Sequence, residues 1–252
     1  MAWTLRGFIR LGIGFGCVLA TAACDDSGSD SEGAPTGSST SGGMSNYMTV
    51  PIPFENGWAP LNDVGIQGAF FTYDDNPDGG TSVITPYGGG TDFSMAGMNQ
   101  VCVTGTGAKV ELGSDGMPAY GVYWGAGIGF NLSQESGGDP LSYNATAQTP
   151  KVIGFAFDIG GTNPLPSVGS AELRFDVQVA GDTTSYCWPI TATGTNEFLF
   201  TDIHKECWNK STTEPTPDPA NLQAIRWQYA TTDAGSYEFD LCVSNIRAIV
   251  EG

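Results

Sequence analysis

The sequence predicts an all-β domain whose strands are arranged as a sandwich or a barrel. Glycine and proline are frequent, with 36 and 15 residues, and no long segment has the 3.6-residue period of an amphipathic helix. Instead, short runs of β-branched and aromatic residues are separated by turn residues. In Glu172–Val179, for example, the apolar residues Leu, Phe, Val and Val occupy alternate positions and therefore share one face of an extended chain.

Ten segments have this composition, and turn residues bound each of them. They cover residues 64–73, 82–85, 100–112, 121–132, 152–159, 172–179, 185–190, 197–203, 222–229 and 237–250. No internal repeat is visible in the sequence, which argues against a propeller or a solenoid. We therefore expect roughly ten short antiparallel strands in the body of the chain.

The first residues have the features of a bacterial export signal. Arg6 and Arg10 supply the positive charge, and the apolar run at 11–20 is too short to span a bilayer, which needs about 20 apolar residues. The small residues before Cys24 resemble the bacterial lipobox, in which the chain is cleaved before a cysteine that then carries the lipid. Residues 1–23 are thus predicted to be a lipoprotein signal peptide, with Cys24 lipidated. Ordinary secretion with cleavage near the same point is the alternative.

Residues 24–48 are predicted to be a disordered, Ser/Gly-rich tether. They contain almost no apolar side chains, so they bury too little surface to offset the entropy of ordering. The expected end-to-end distance is roughly 25–30 Å for a flexible chain of this length. Residues 49–252 form the predicted β-sandwich domain. This organisation places the domain outside the cytoplasm, anchored at a bacterial cell envelope, on either the inner or the outer membrane.

The charge of the chain disfavours two classes of partner. It has 27 acidic and 9 basic residues and a formal net charge of −18 at pH 7. No Lys or Arg occurs between Arg10 and Lys109. Surfaces that bind nucleic acid or anionic lipid need a field of the opposite sign. We therefore expect no nucleic-acid partner, membrane contact through the lipid anchor only, and a monomeric domain.

Four cysteines in the body of the chain predict two disulfides, because an even number in an exported protein is typical of disulfide bonding. Metal ligation is disfavoured, since the sequence has no C-x-x-C motif and a single histidine. Cys187 lies in a predicted strand and Cys207 follows the next strand after a turn, so a hairpin brings them together. Cys102 and Cys242 remain for the second pair.

Four short segments occur in a fixed order: F-E-N-G at 54–57, W-G-A-G-I-G-F-N-L at 124–132, G-F-A-F-D-I at 154–159 and F-D-L-C-V-S-N-I at 239–246. Their order and spacing resemble the galactose-binding-like jelly-roll class, which includes the carbohydrate-binding modules of bacterial extracellular proteins. The resemblance extends over most of residues 50–252. It implies a jelly-roll β-sandwich and is more specific for fold than for ligand.

The same resemblance implies a structural Ca²⁺ that ties the first strand to the last. The acidic residue of the F-E-x-G segment is Glu55, and the closing segment supplies Asp240 and Asn245. Ca²⁺ binds about six to eight oxygen atoms, so carboxylate, amide and carbonyl oxygens together suit it. The chain departs from the class at Ser244, where Asp is common. The alternative is that Glu55 and Asp240 are solvated strand residues.

Sugar recognition uses flat aromatic faces against the C–H surface of a pyranose, with side chains that hydrogen-bond hydroxyl groups. Tyr73 stands at a strand end and leads into an acidic turn with Asp74 and Asp75. Tyr87 lies in a second polar turn, and the two turns are predicted to form one rim of a shallow site, with Trp124 as a further ligand contact. The alternative is that both are ordinary surface turns. The wider set of candidate aromatic platforms is Tyr123, Trp188, Trp208 and Trp227, of which Trp227 is expected in the core.

No catalytic constellation is recognisable in the sequence. A nucleophilic triad would have to use His204, which we expect on a surface connection, and the nucleophile motif G-x-S-x-G is missing. The sequence therefore predicts an envelope-anchored, non-catalytic carbohydrate-binding type of module whose partner is a polysaccharide or another glycan. The alternatives are a protein-interaction or scaffold lipoprotein without sugar binding, and a glycan-active enzyme that uses paired carboxylates.

Overall fold

The structure is a computed structural model that describes residues 47–88, 99–209 and 212–252. The predicted signal peptide, Cys24 and nearly all of the predicted tether lie outside these residues. The strands, in chain order, are β1 (Tyr47–Pro51), β2 (Trp58–Ala59), β3 (Gly68–Asp74), β4 (Val83–Thr85), β5 (Gln100–Gly107), β6 (Ala126–Asn131), β7 (Val152–Asn163), β8 (Glu172–Val179), β9 (Tyr186–Ile190), β10 (Gly194–Leu199), β11 (His204–Lys205), β12 (Leu222–Ala230) and β13 (Tyr237–Glu251).

Two antiparallel sheets contain these strands, with short 3-10 turns between some of them. The six-stranded sheet has the order β10-β7-β13-β5-β4, and β1 pairs with the end of β13 that lies beyond β5. The seven-stranded sheet has the order β11-β9-β8-β12-β6-β3-β2. The predicted all-β sandwich of short antiparallel strands is confirmed. Each predicted strand segment contains an observed strand, whereas β1, β2 and β11 were not predicted.

Aromatic side chains from both sheets meet in the core. Phe157 of β7 lies 4.8 Å from Phe175 of β8 and 5.1 Å from Trp227 of β12, measured between ring centroids. All three side chains are fully buried. The strand period of two places Phe175 and its apolar neighbours toward the other sheet and leaves the residues between them on the outer face. The outer face of the seven-stranded sheet carries the site described below.

Both predicted disulfides are present. Cys102 and Cys242 are direct partners in the β5–β13 ladder, and the bond closes a sequence separation of 140 residues. Cys187 of β9 is joined to Cys207, which lies just after β11 and 20 residues along the chain. The second bond fixes the segment that follows β11 onto the edge of the seven-stranded sheet. Over the described ranges, no helix is long and apolar enough to cross a membrane.

Replacement of Trp227 by Ala should lower the free energy of unfolding by about 3–5 kcal/mol, because the substitution leaves a cavity among the core aromatic rings. The matched control is Trp208→Ala: this indole is 48% exposed, and its removal should change stability by less than about 0.5 kcal/mol. Denaturant unfolding of both variants measures the difference. Equal losses in the two variants would contradict this account of the core.

Candidate functional site

A cavity of about 720 Å³ lies on the outer face of the seven-stranded sheet. This volume is within the range of small-molecule sites, which is about 300–1,000 Å³. The floor consists of polar side chains from β8 and β12. The residues around it that matter most for the argument are Trp124, Glu172, Arg174, Asp176, Trp208 and Gln228. We call this cavity the cleft.

The charged side chains of the floor are held in two ion pairs, one between lining residues and one between the lining residue Asp176 and Arg226. On β8, the guanidinium of Arg174 binds Glu172, with Nη2 at 3.0 Å from Oε2. Arg226 of β12 binds Asp176 of β8 across the ladder, with Nη2 at 2.8 Å from Oδ1. The Asp176 side chain is only 1% exposed. Because the pairs balance, the floor carries polar groups of both signs without an excess of either.

The second ion pair continues into an aromatic ring. The Arg226 guanidinium lies 5.5 Å from the centroid of the Tyr73 ring, a cation–π arrangement. Burial opposes the charged form of Arg226, but Asp176 and Tyr73 outweigh it and raise its pKa. Burial raises the pKa of Tyr73 well above its ordinary value, with a smaller lowering from Arg226. Arg226 therefore stays charged and Tyr73 stays neutral across the physiological range.

Three polar atoms at the base of the cleft have no hydrogen-bond partner among the described residues: Oδ2 of Asp176, Nε of Arg226 and the hydroxyl of Tyr73. All three atoms are buried. A buried polar atom without a partner lowers the free energy of unfolding by about 1–3 kcal/mol, so these three atoms destabilise the domain.

Trp124 forms one side of the cleft. Its ring stacks on Tyr73 at 5.8 Å with an interplanar angle of 27°, and its indole Nε1 donates a hydrogen bond of 2.8 Å to Oδ2 of Asp78. The amide of Gln228 donates to the Trp124 carbonyl oxygen at 3.1 Å. The side chain is thus held in one orientation at the cleft, and a ligand contact by Trp124 stays a prediction.

Two glycines of β6 allow the aromatic rings of β3 to lie on the sheet. A Cβ atom on Gly129 would lie 2.1 Å from the Phe71 ring, and one on Gly127 would lie 2.7 Å from the Tyr73 hydroxyl oxygen. Any side chain at these positions would displace the rings, and with them the support of Trp124. The G-A-G-I-G portion of the segment at 124–132 therefore has a packing function next to the cleft.

Asp74 and Asp75, the predicted ligand contacts of the acidic turn, are both buried, and their contact with a ligand stays a prediction. The Asp75 carboxylate accepts hydrogen bonds from Ser82 N at 2.8 Å, Ser82 Oγ at 2.9 Å and Gly125 N at 2.9 Å, and the residue is fully buried. Asp74 Oδ1 accepts from Asn76 N at 3.1 Å within the same turn. The turn uses both carboxylates as internal acceptors. Asp75 positions the backbone next to Trp124.

The predicted rim of Tyr73 and Tyr87 is only partly assembled. Tyr73 is half-buried beneath Trp124, so it supports the cleft wall and is not an exposed platform. Tyr87 is 58% exposed beside the edge of β3, where Gly88 accepts a hydrogen bond from Thr72 N at 2.7 Å. It is not a lining residue of the cleft as described, and residues 89–98 lie outside the described ranges. A ligand contact by Tyr87 stays a prediction.

The residues predicted to bind Ca²⁺ do not all come together. Asp240 and Asn245 are both in β13, and five residues of extended strand separate them by roughly 16 Å, too far to share one ion. Asn245 and the segment before Glu55 do meet, because Asn99 hydrogen-bonds both Phe54 N and Asn245 N. Within the described part of the chain, no group of three His, Cys, Asp or Glu residues has the arrangement of a metal site. Calcium binding stays a prediction.

Asn245 has a structural partner on the six-stranded sheet. Its Nδ2 donates a hydrogen bond of 2.7 Å to Oδ2 of Asp158, and Thr195 Oγ1 donates to Oδ1 at 2.7 Å. Partial burial favours the protonated form of Asp158, but the bonds from Asn245 and Thr195 and the nearby charge of Arg247 hold its pKa below the ordinary value. The cluster joins β13, β7 and β10.

The expected surface position of His204 is wrong. The residue is buried at the β11–β9 pairing, with Nδ1 3.0 Å from the carbonyl oxygen of Glu214 and its ring 6.0 Å from that of Trp188. Trp208, four residues further along the chain, is one of the candidate aromatic platforms that the sequence predicts, and it lines the cleft. Nothing local distinguishes its W-N-K context from other aromatics, because its position depends on the neighbouring disulfide.

Comparison with known proteins does not identify a ligand for this chain. No family model and no curated protein matches the chain. Among solved structures, the chain is similar to the family 11 carbohydrate-binding module of the cellulosomal cellulase Lic26A-Cel5E of Clostridium thermocellum. The identity is 16% over 78% of this chain and 96% of that chain, with a TM-score of 0.39. The solution structure of CtCBM11 matches with 16% identity, 82% and 90% coverage and a TM-score of 0.33. At these values the ligand must be argued from the cleft itself.

The burial of Tyr73 leads to a matched pair of predictions. Tyr73→Ala should lower the free energy of unfolding by about 3 kcal/mol, because it removes a packed ring. Tyr73→Phe should be near neutral or stabilising, because it removes only a buried hydroxyl that has no partner. Urea unfolding measures both. A Tyr73→Ala variant as stable as the native protein would show that the ring is exposed, as the sequence suggested.

Proposed function

We propose that the domain is a non-catalytic carbohydrate-binding module and that the cleft is its ligand site. One observation carries the proposal: two tryptophans, Trp124 and Trp208, line a cleft whose floor consists of hydrogen-bonding side chains. Indole faces bind the C–H surface of a sugar ring, and carboxylate, guanidinium and amide groups bind its hydroxyls. The combination suits a ligand that is apolar on its faces and polar around its edge.

The carboxylates of the cleft favour binding over hydrolysis. Glycosidases need one carboxylic acid and one carboxylate, at about 5–10 Å from each other. Glu172 and Asp176 are four residues apart on β8, which separates their Cα atoms by roughly 13 Å. Each is ion-paired with an arginine. The separation along the strand does not suit a mechanism with paired carboxylates.

The proposal is tested by measuring the affinity of the native domain and of cleft variants for polysaccharides. Trp124→Ala should reduce binding to a retained polysaccharide by about tenfold or more, the loss typical of a buried aromatic contact. The matched control is Met48→Ala, an exposed apolar residue of β1 in the other sheet that is 58% accessible. Affinity gel electrophoresis against a panel of plant, fungal and bacterial polysaccharides identifies the ligand, and calorimetry measures the loss.

Failure of the native domain to bind any polysaccharide in the panel would reject the proposal in favour of a protein-interaction domain. Equal binding by native protein and the Trp124→Ala variant, with the fold intact, would place the site elsewhere. Thermal melts accompany each titration, because Trp124 also packs on Tyr73 and its loss is expected to lower the melting temperature slightly.

We further propose that the module is displayed at a bacterial cell envelope by lipid on Cys24. The lipobox-like sequence and the apolar-poor residues 24–48 support this arrangement. Cys24→Ala should move the protein from the membrane fraction to the soluble fraction without changing its glycan affinity, because the residues that line the cleft lie far along the chain from Cys24, between 120 and 231. Detergent phase partitioning of cells expressing each form measures the shift. A variant that still partitions with membranes would refute lipidation at this residue.

A further inference from the structure

The side of the cleft opposite Trp124 is built around Trp208. The indole is 48% exposed, and the Arg174 guanidinium lies 5.7 Å from the ring centroid. Arg174 is itself held by Glu172, so the ring rests on an ion pair of the floor. The residue before Trp208 is Cys207, whose disulfide to Cys187 attaches this segment to β9. We call Trp208, Arg174 and the disulfide the Trp208 side, and Trp124 with Tyr73 the Trp124 side.

The two sides are separated by several strands. The Trp124 side rests on Tyr73 of β3, whereas the Trp208 side rests on Arg174 of β8. Between β3 and β8 lie β6 and β12, so the two supports are three strand spacings apart. At about 4.8 Å for each spacing, this corresponds to roughly 14 Å. One pyranose ring is too small to contact both indoles at once, but a chain of linked sugars is long enough.

The charge of the floor narrows the ligand class. Among the described residues of the floor, the two carboxylates are each paired with one arginine, so neither of these arginines is left over to bind an acidic sugar. The chain as a whole has a formal net charge of −18, and its field repels anionic polymers. A ligand whose polar groups are hydroxyls avoids this repulsion and provides both donors and acceptors for the ion pairs.

From these observations, and resting on the proposed function, we infer that the cleft binds an uncharged oligosaccharide chain that extends across the strands from Trp124 to Trp208. Trp208 is the second stacking platform. The Cys187–Cys207 disulfide positions it, since it joins the segment that carries the indole to β9 at the edge of the sheet. Neither tryptophan alone sets the length of ligand that is recognised; their separation does.

The test measures affinity against chain length. Calorimetry uses gluco-, xylo- and manno-oligosaccharides, from disaccharide to hexasaccharide, with the native domain and with Trp208→Ala. The native affinity should rise with length until the chain reaches both indoles. In Trp208→Ala the longest oligosaccharides should lose about tenfold in affinity, whereas those bound at the Trp124 side alone should be unchanged. Trp208→Phe should restore most of the rise, because it keeps an aromatic face.

The role of the disulfide is tested with the double variant Cys187→Ser/Cys207→Ser. It should reproduce the length profile of Trp208→Ala, with affinity for short chains retained. Loss of affinity at every length would mean that the bond supports the fold in general and does not position Trp208. Near-ultraviolet circular dichroism and thermal melts verify that each variant is folded before it is titrated.

The preference for an uncharged ligand is tested with hydroxyethyl and carboxymethyl derivatives of the same retained polysaccharide. The hydroxyethyl form should bind more tightly than the carboxymethyl form, and tighter binding of the anionic form would overturn the uncharged assignment. An equal loss for all chain lengths in Trp208→Ala, or no loss, would overturn the assignment of Trp208 while leaving the proposed function standing. Absence of binding by the native domain to every polysaccharide would instead reject the proposed function.

Discussion

Burial of Phe157, Phe175 and Trp227 between the two sheets determines where the site can be. Because successive residues of a strand point to opposite faces, placing Phe175 and Trp227 in the core forces Arg174, Asp176, Arg226 and Gln228 onto the outer face. The polar floor of the cleft is therefore a direct consequence of the core. A register slip of one residue in β8 would remove Phe175 from the core and, at the same time, the charged side chains of β8 from the floor.

The outer face would be an unfavourable place for charges if they were not paired. Arg226 and Asp176 are largely withdrawn from water, and removal of one partner from such a pair typically costs about 3–5 kcal/mol. The pair still leaves Asp176 Oδ2 and Arg226 Nε without partners in the protein. Buried polar atoms without a partner also occur away from the cleft, on Asn62, Trp227 and Arg247, so such atoms do not by themselves mark a ligand site.

Two glycines and one buried carboxylate determine the position of the aromatic side chains beside the cleft. Gly127 and Gly129 let the β3 rings lie against the sheet, and the Asp75 carboxylate holds the backbone at Gly125, the neighbour of Trp124. Both features are visible in the sequence as a glycine-rich segment and an acidic turn. The sequence pattern does not show that the first is needed for packing or that the second is buried. The acidic turn was interpreted as an exposed sugar-binding rim because charged turns are usually solvated. In the structure, these carboxylates accept hydrogen bonds from an N–H group of their own turn and from the N–H and O–H groups of Ser82, the residue before β4.

The sequence by itself determined the strand composition, both disulfide pairs and the core position of Trp227, because alternation and cysteine spacing are local properties of the chain. Strand patterning left a sandwich and a barrel open, and the resemblance to the jelly-roll class selected the sandwich. Only the tertiary structure decided that Asp75 is buried and that Trp208 and Trp124 line the same cleft. Residues 84 positions apart share a site here because β6, β12, β8 and β9 are hydrogen-bonded neighbours in an order that differs from their order in the chain. That order depends on long-range strand pairing, which no local pattern specifies.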